Sequence, residues 1–164
     1  MIKFAKKNKS VKIPSKSDTN AGYDIYANFS ESFAKLKAHQ TTLIPTGLFS
    51  SFDKNYYVQM FNRGSNGSKG LLQACGVIDS SYRGEWFVAI TNTNQEDWYI
   101  VKKEYINSML DNNITKDVIY PYEKAICQAV ILPVPKVEIL EVDIKEIEEN
   151  ISGRGIGKLG SSGK

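Results

Sequence analysis

Several residue types on which zinc sites and disulfide frameworks depend are scarce in this chain. Its 164 residues include one histidine, His39, and two cysteines, Cys75 and Cys127, which have no CxxC spacing. A zinc site is therefore not expected, and His39 is predicted to be a surface loop residue. Both cysteines stand in apolar segments, where a reduced cysteine behaves as a small hydrophobe, so we expect a cytoplasmic protein.

Long apolar runs and one-sided charge are also absent from the sequence. No apolar run approaches the roughly 18 residues of a membrane span, and the lysine-rich start has no apolar segment behind it. We therefore expect no membrane association and no export. The 21 basic residues nearly balance the 18 acidic ones, and beyond residue 12 the basic side chains are scattered. A nucleic-acid partner is therefore not expected.

Short apolar segments separated by turn residues fill most of the chain and predict one all-β domain. Strands are expected within 1–13, 21–27, 41–49, 56–61, 86–90, 125–135 and 137–142. The spacing of Tyr105, Ile106, Met109 and Leu110 is compatible with a short amphipathic helix, but an ordinary surface excursion is the favoured interpretation. The acidic run at 145–150 is predicted to be a solvated linker.

The segment GVIDSSYRGEW, residues 76–86, delivers one carboxylate and one aromatic ring after an apolar strand. Val77 and Ile78 are β-branched and are expected to be buried, which places Asp79 where the strand turns and Tyr82 three residues later. An Arg-Gly pair would then reverse the chain, so a hairpin with these two side chains near its tip is predicted. The alternative reading is that Asp79 only forms the turn.

Two glycine-rich segments carry an arginine among hydroxyl side chains. In NRGSNGSKG, residues 62–70, successive N–H groups and Arg63 are suited to hold an anion, but the GKS or GKT ending of a P-loop is missing. A flexible turn is the alternative there. In SGRGIGKLGSSGK, residues 152–164, the choice is between a floppy tail and a segment that orders over a phosphate-bearing ligand, with Arg154 neutralising charge.

Two polar residues stand out inside apolar strands. In AGYDIYA, residues 21–27, alternation leaves Asp24 alone on its face of the strand. In AICQAVILPVP, residues 125–135, the most apolar run of the chain contains Gln128, whose buried amide needs hydrogen-bond partners.

Taken in order, five stretches resemble the motifs of the trimeric dUTPases. They are AGYDIYA, NRGSNGSKG, GVIDSSYRGE, AICQAVI and RGIGKLGSSG. The resemblance implies a distorted jelly-roll subunit over residues 1–150, a flexible arm over 151–164 that closes on the active site, and a homotrimer whose sites are shared between chains. It also implies hydrolysis of dUTP to dUMP and pyrophosphate with Mg²⁺.

The resemblance also assigns roles to individual residues. Asp79 would orient and partly deprotonate the attacking water, and Tyr82 would lie against the deoxyribose. Asp24 would touch metal-bound water. Substrate contacts are expected at Arg63, Gly64, Ser65, Gln73, Gly76, Val77, Ile78, Tyr82, Gln128, Arg154, Leu159, Gly160, Ser161 and Ser162. Uracil would be read by the backbone of residues 76–78, whose N–H and C=O groups mismatch the amino group of cytosine.

The sequence departs from the family pattern at four places. A glycine separates Arg63 from Ser65, whereas the family usually has serine directly after the arginine. Ala125 stands where many members carry arginine, and the neighbouring Lys124 is a candidate substitute. Leu159 replaces a phenylalanine that stacks on uracil, which weakens lid closure by the roughly 0.5 to 1.5 kcal/mol of stacking geometry. The stretch at roughly 94–120 is longer than in most members and resembles the insert of some bacteriophage enzymes.

Two other functions are alternatives to dUTP hydrolysis. A dCTP deaminase shares the fold but needs a glutamate as proton shuttle, whereas this chain has Asp79 and Tyr82 after the apolar pair. A regulatory protein that binds dUTP without turnover would use the insert as the contact surface for a protein partner. An intact Asp79 argues against the second reading.

Overall fold

The computed structural model describes residues 1–74 and 76–149, and β-strands dominate this part of the chain, which confirms the all-β prediction. The strands are β1 (Ile2–Lys6), β2 (Tyr23–Ile25), β3 (Phe33–Leu36), β4 (Thr41–Pro45), β5 (Leu48–Phe52), β6 (Tyr56–Phe61), β7 (Leu71–Gln73), β8 (Val77–Ile78), β9 (Phe87–Asn92), β10 (Trp98–Val101), β11 (Ile119–Pro121) and β12 (Cys127–Pro133). The helices are α1 (Gly64–Gly67), α2 (Ile106–Asp111) and α3 (Ile144–Glu149), and 3₁₀ turns lie at Lys103–Tyr105 and Lys116–Val118.

The strands form four small sheets. The largest is antiparallel in the order β2-β12-β6-β8, and a three-stranded antiparallel sheet has the order β4-β9-β7. β1 pairs with β5, and β10 lies between β3 and β11. The β10–β11 pair is parallel, which requires a crossover connection, and α2 lies in that connection. The surface excursion favoured for this stretch is therefore wrong, and the short helix that was its alternative is present.

Strands β8 and β9 belong to different sheets, so the hairpin predicted for 76–90 is wrong. Ile78 of β8 faces Val58 of β6, whereas β9 lies between β4 and β7. The intervening chain crosses from one sheet to the other, and Trp86 donates its backbone N–H to the Leu48 carbonyl at 2.8 Å. Alternation identifies a strand, but it does not say which strand will supply the hydrogen-bond partners.

One apolar core lies between the sheets. Its largest side chain, Trp86, is 1% exposed, donates Nε1–H to Ser50 Oγ at 3.1 Å and meets Phe4 edge-on at a centroid distance of 5.3 Å. Strand residues and Ile126, which directly precedes β12, complete it; the strand residues include Ile25, Leu36, Ile44, Val58, Met60, Val88 and Ile100. Cys127 is also fully buried, as its apolar setting predicted.

The segment at 94–120 has a small core of its own. Val101, Met109 and Ile119 are buried together, and Ile106 and Ile114 pack against them. Strands β10 and β11 supply the first and last of these side chains, and α2 supplies Met109. The segment is therefore a packed unit attached to the sheet edge at β3, where Trp98 pairs with Leu36.

Residues 135–149 belong to a second unit of the chain. The strand expected at 137–142 is absent from the described chain, and Ile139 is 90% exposed there. A strand needs a partner for its backbone groups, and no described strand pairs with these residues. The linker predicted at 145–150 was also wrong, because Ile144–Glu149 forms α3, which its glutamate and lysine residues favour.

Two smaller expectations concern the surface of the protein. None of the described helices has the length and apolar character needed to cross a membrane. His39 is exposed in a loop with φ of 56°, and its Nε2 lies 3.1 Å from Gln95 Oε1. The surface-loop prediction for this histidine is confirmed.

Candidate active site

Strand pairing brings together three of the polar residues singled out in the sequence. Gln128 on β12 lies opposite Asp24 on β2 and opposite Phe61 on β6. Arg63 follows β6 by two residues, at the N-terminal end of α1. The three segments are distant in sequence, but the order β2-β12-β6 places them side by side.

The guanidinium group of Arg63 is held from two sides. Its Nε lies 3.3 Å from Asp24 Oδ1, and its Nη1 donates to the Ala125 carbonyl at 3.1 Å. The side chains of Arg63 and Asp24 are 30% and 37% exposed, so the ion pair borders solvent. Alternation had predicted that Asp24 stands alone on its face of the strand. This prediction is wrong, because its partner Arg63 comes from another segment.

A cavity of about 730 Å³ lies beside this ion pair and is almost entirely polar. Asp24, Arg63 and Gln128 line it together with the loop at 15–22, which contributes Ser15, Lys16, Ser17, Thr19, Asn20, Ala21 and Gly22. Ammonium, hydroxyl and amide groups beside a guanidinium are suited to bind a polyanion. The loop had no assigned role, although its serine and threonine content was a visible signal.

The amide of Gln128 has the partner that its position requires. Nε2 donates to the Asn62 carbonyl at 2.9 Å, which ties β12 to the residue before Arg63. A Cβ placed on Gly22 would lie 2.5 Å from Gln128 Oε1, so a larger residue at this position would displace the Gln128 amide. The amide oxygen is thereby set beside the glycine backbone at the cavity wall.

Two buried residues that the sequence did not single out lie behind Arg63. Asn66 in α1 is 2% exposed and donates Nδ2–H to the Ile126 carbonyl at 2.7 Å. The Tyr120 hydroxyl lies 2.9 Å from Asn66 Oδ1 and 2.7 Å from the Ala125 carbonyl oxygen. The flexible turn that was the alternative for residues 62–70 is therefore wrong for Gly64–Gly67, since α1 is fixed against residues 125–126.

Asp79 and Tyr82 line a second, smaller cavity of about 190 Å³. Its remaining walls are Val77, Ile78, Glu85 and Phe87. Val77 is 58% exposed and Ile78 is half-buried, so the expectation that both are buried is wrong for the single chain. The apolar pair forms an open wall because β8 has only two residues and lies at the sheet edge.

The turn that carries Asp79 and Tyr82 is fixed by internal hydrogen bonds. Tyr82 donates its backbone N–H to the Asp79 carbonyl at 3.1 Å and its hydroxyl to the Glu85 carbonyl at 2.9 Å. A side chain on Gly84 would collide with the Tyr82 ring, so glycine is required for this contact. Glu85, whose side chain is 10% exposed, accepts from the Gly47 N–H at 2.9 Å and from Lys7 Nζ at 2.9 Å.

The two cavities share no lining residue. Among the described residues of one chain, Asp79 and Arg63 therefore line different cavities. Among the described residues, no group of three or more acidic, histidine or cysteine side chains is placed to hold a metal ion. One chain thus contains an acidic, aromatic cavity and a separate cationic, polar one.

The remaining predicted site residues occupy less informative positions. Gly64 and Ser65 are exposed in α1, Gln73 ends β7, and Lys124 is exposed in the turn before β12. The Gly76 carbonyl accepts from the Met60 N–H at 2.7 Å. Arg154, Leu159, Gly160, Ser161 and Ser162 lie outside the described residues, as does Cys75.

Comparison with known proteins identifies the family. A family model described as dUTPase matches residues 8–111. A deoxyuridine 5'-triphosphate nucleotidohydrolase from Nautilia profundicola is 32% identical over 167 residues, which cover 99% of each chain. The chain belongs to the dUTPase family. The resemblance drawn from the sequence motifs is confirmed at this level.

Solved structures of dUTPases share the fold. The dUTPase of Staphylococcus bacteriophage 80alpha with dUPNHPP has a TM-score of 0.75 at 21% identity, covering 100% of this chain and 99% of that one. A mutant dUTPase from phage phi11 of S. aureus, described as revealing the coordination of a structural Mg(II) ion, has a TM-score of 0.66 at 18% identity, covering 87% and 97%. The all-β fold of this chain is therefore the fold of these dUTPase structures.

Proposed function

We propose that this dUTPase family member is a dUTP diphosphatase that hydrolyses dUTP to dUMP and pyrophosphate by attack of water on the α-phosphate. The observation that carries the proposal is the convergence of Asp24, Arg63 and Gln128, from three separate motifs, on one polar cavity. A triphosphate carries the charge that such a cavity is suited to bind. The dUTPase match also favours hydrolysis over the deaminase alternative.

In this proposal Asp79 acts on the attacking water. A carboxylate within hydrogen-bonding distance of the water holds it in line with the α-phosphorus and accepts its proton as the bond forms. Tyr82, whose ring is fixed by the hydroxyl bond to the Glu85 carbonyl, lies against the deoxyribose and leaves no room for a 2′-hydroxyl. The backbone of residues 76–78 reads uracil.

The cationic cavity would bind the part of the substrate that leaves. Arg63 and Gln128 donate N–H groups to phosphate oxygens, and Ser65 lies two residues after Arg63, on α1. Arg154, Ser161 and Ser162 are proposed to close on the same phosphates from the C-terminal arm. The spread of charge over these donors stabilises the pyrophosphate as the bond to the α-phosphorus breaks.

The residues present fit a magnesium ion that arrives with the triphosphate. Among the described residues a single carboxylate, Asp24, lines the polar cavity, and one of its oxygens already contacts Arg63. Mg²⁺ prefers phosphate oxygens and water to a protein cage, so one carboxylate reached through water is sufficient. When bound, the ion supplies charge neutralisation and geometric alignment of the phosphates.

A homotrimer with shared sites is proposed because, within one chain, the residues proposed to act on water and deoxyribose lie in a different cavity from those proposed to bind phosphate. Asp79 and Tyr82 line one cavity, and Arg63 and Gln128 line the other, with no residue in common. A second copy that placed its Asp79 cavity against the Arg63 cavity of the first would complete the site. Exposed apolar side chains at Val137, Ile139 and Leu140 also suit association between chains.

The proposed biological role follows from the products. Removal of dUTP keeps uracil out of DNA, and dUMP is the precursor of dTMP. The proposed location is the cytoplasm, of the host cell if the chain is encoded by a phage. A regulatory role through the segment at 94–120, with a protein partner, remains a separate proposal.

A nucleotide panel tests the function. The purified protein is incubated with dUTP, dCTP, dTTP and UTP in the presence of Mg²⁺, and nucleoside products and pyrophosphate are measured separately. Release of dUMP and pyrophosphate from dUTP, with little turnover of the others, is the expected result. Deamination of dCTP, or binding of dUTP without turnover, would contradict it.

A further inference from the structure

The Ala125 carbonyl connects Arg63 to a buried hydroxyl. This oxygen accepts a hydrogen bond from Arg63 Nη1 at 3.1 Å, and the Tyr120 hydroxyl lies 2.7 Å from it. Ala125 and Tyr120 are each 3% exposed, so the carbonyl and the hydroxyl meet away from solvent. A shift of this carbonyl would therefore shift the guanidinium.

Asn66 closes the network from the other side. Its Oδ1 is 2.9 Å from the Tyr120 hydroxyl, and its Nδ2 donates to the Ile126 carbonyl at 2.7 Å. A phenol has one proton, so Tyr120 donates to Asn66 Oδ1 or to the Ala125 carbonyl at any moment. Both acceptors are buried, which makes the loss of this single donor costly for the arrangement around it.

We propose that Tyr120 and Asn66 are positioning residues that fix the orientation of Arg63 toward the polar cavity and thereby set the affinity for the triphosphate. Neither side chain lines that cavity. They act through the Ala125 carbonyl and through α1, whose first turn follows Arg63 directly. The inference rests on the proposed function for the nature of the ligand, but its geometry is independent of it.

Tyr120 links the segment at 94–120 to the surroundings of Arg63. Tyr120 lies on β11, which pairs in parallel with β10 and ends the segment at 94–120. β11 belongs to the β11-β10-β3 sheet. A different sheet contains β6, after which Arg63 follows, and β12, which carries Gln128. The segment between the third and fourth motifs therefore contributes to the phosphate side of the site through one hydroxyl.

The protonation state of the hydroxyl is compatible with this role. Burial raises the pKa of Tyr120 above its ordinary value, and the nearby Arg63 guanidinium opposes that rise. Tyr120 is consequently a hydrogen-bond donor at neutral pH. The titratable groups that face it are Arg63 and Asp24, the ion pair it helps to support.

The neighbouring Tyr122 offers a matched control. It lies two residues along the same segment, burial likewise raises its pKa, and its ring packs edge-on against Phe29 at a centroid distance of 4.9 Å. The groups near its hydroxyl are Asn28 and the Phe29 backbone, and Arg63 is not among those that act on its pKa. Tyr122→Phe therefore removes a similar hydroxyl without touching the network.

The experiment compares wild type, Tyr120→Phe and Tyr122→Phe, because both substitutions keep the ring and remove one oxygen. For Tyr120→Phe we expect the KM for dUTP to rise about three- to tenfold, the loss typical of one hydrogen bond. The inhibition constant for dUMP, which lacks the β- and γ-phosphates, should stay within about twofold of wild type. Tyr122→Phe should change neither constant.

A spectroscopic measurement tests the geometry without turnover. The chain has three arginines, Arg63, Arg83 and Arg154, so the Arg63 Nε–H resonance can be assigned with Arg63→Lys. We expect this resonance to shift or broaden in Tyr120→Phe and to remain unchanged in Tyr122→Phe. The same resonance should respond to titration with inorganic tripolyphosphate in wild type.

The outcomes separate the inference from the proposed function. An unchanged KM and an unchanged Arg63 resonance in Tyr120→Phe would overturn the inference, as would an equal loss of dUMP and dUTP affinity. Equal effects in Tyr122→Phe would also overturn it, because they would indicate a general loss of packing. Absence of dUTP hydrolysis by wild type would instead refute the proposed function, and the resonance would still decide the positioning role.

Discussion

Arg63 Nε and Asp24 Oδ1 lie 3.3 Å apart, although the two residues belong to different motifs. The contact arises because β2 and β6 both pair with β12, which places the end of β6 beside the middle of β2. The pair is about one-third exposed, so solvent screens part of its attraction. Asp24 is thus placed to orient the Arg63 guanidinium.

Asp24→Asn is expected to weaken substrate binding by loosening Arg63. The substitution keeps the side-chain shape and removes the charge, so we expect the KM for dUTP to rise about three- to tenfold for this partly exposed pair. The KM is measured at several Mg²⁺ concentrations, with the exposed Asp18→Asn as control. Recovery of the wild-type KM at high Mg²⁺ would show that Asp24 acts through the metal instead.

Asp79→Asn is expected to separate binding from turnover. The amide can still contact the site but accepts no proton from the attacking water, so kcat should fall by roughly 10² to 10⁴. The affinity for the non-hydrolysable analogue dUPNHPP should remain near that of wild type. Asp117→Asn, an exposed position in a 3₁₀ turn, is the control, and undiminished kcat in Asp79→Asn would remove Asp79 from the mechanism.

Individual strands were easier to predict from the sequence than the pairing between strands. The β-branched strands followed from local periodicity, which depends only on neighbours in sequence. The same periodicity indicated α2, although a surface excursion was favoured there. The separation of β8 from β9 did not, because pairing is decided by the whole set of strands. Helix α3 was missed because its charged residues were interpreted as a solvated run, although the same residues favour a helix.

In the candidate site, too, single residues were easier to predict than the contacts between distant segments. Asp24, Arg63 and Gln128 were visible as polar residues in apolar or glycine-rich settings, and their common cavity confirms that they lie together. Tyr120 was not visible, because a tyrosine at the end of an apolar segment carries no sign of what its hydroxyl will meet. Its role depends on the contact of β11 with α1, which no local pattern encodes.

Glu85→Ala is expected to lower stability more than removal of its lysine partner. Glu85 is 10% exposed at its side chain and accepts from the Gly47 N–H, which would be left without its acceptor. We expect a loss of about 1 to 3 kcal/mol in the free energy of unfolding, against less than about 1 kcal/mol for the exposed Lys7→Ala. Urea unfolding at equal protomer concentration measures both, and equal losses would contradict the assignment.

Mixed assemblies test whether the site is shared between chains. Asp79→Asn and Arg63→Ala are each expected to be nearly inactive. If Asp79 comes from one chain and Arg63 from a neighbour, co-refolding at equal amounts should restore about a quarter of wild-type activity, since one site in four combines two intact residues. Light scattering should show a trimer, and a mixture no more active than its components would place both residues in a site formed by one chain.

Removal of residues 151–164 is the last prediction and concerns the fifth motif. The segment contains Arg154, Ser161 and Ser162, the donors proposed to close on the triphosphate, and its glycines contribute no apolar surface to a core. A chain ending at Asn150 should therefore keep the melting temperature and the assembly state of the full chain. Its hydrolysis of dUTP should fall strongly, because the phosphates lose part of their clamp and the in-line geometry loses definition.

The truncated chain needs a control that changes the motif without shortening it. Arg154→Ala with Ser161→Ala and Ser162→Ala in the full-length chain removes the same donors and should reproduce most of the loss. Steady-state hydrolysis and thermal unfolding are measured on both variants beside the full chain. Activity that survives truncation with the fold intact would show that the glycine-rich segment takes no part in catalysis, and the phosphate clamp would then consist of Arg63 and Gln128 alone.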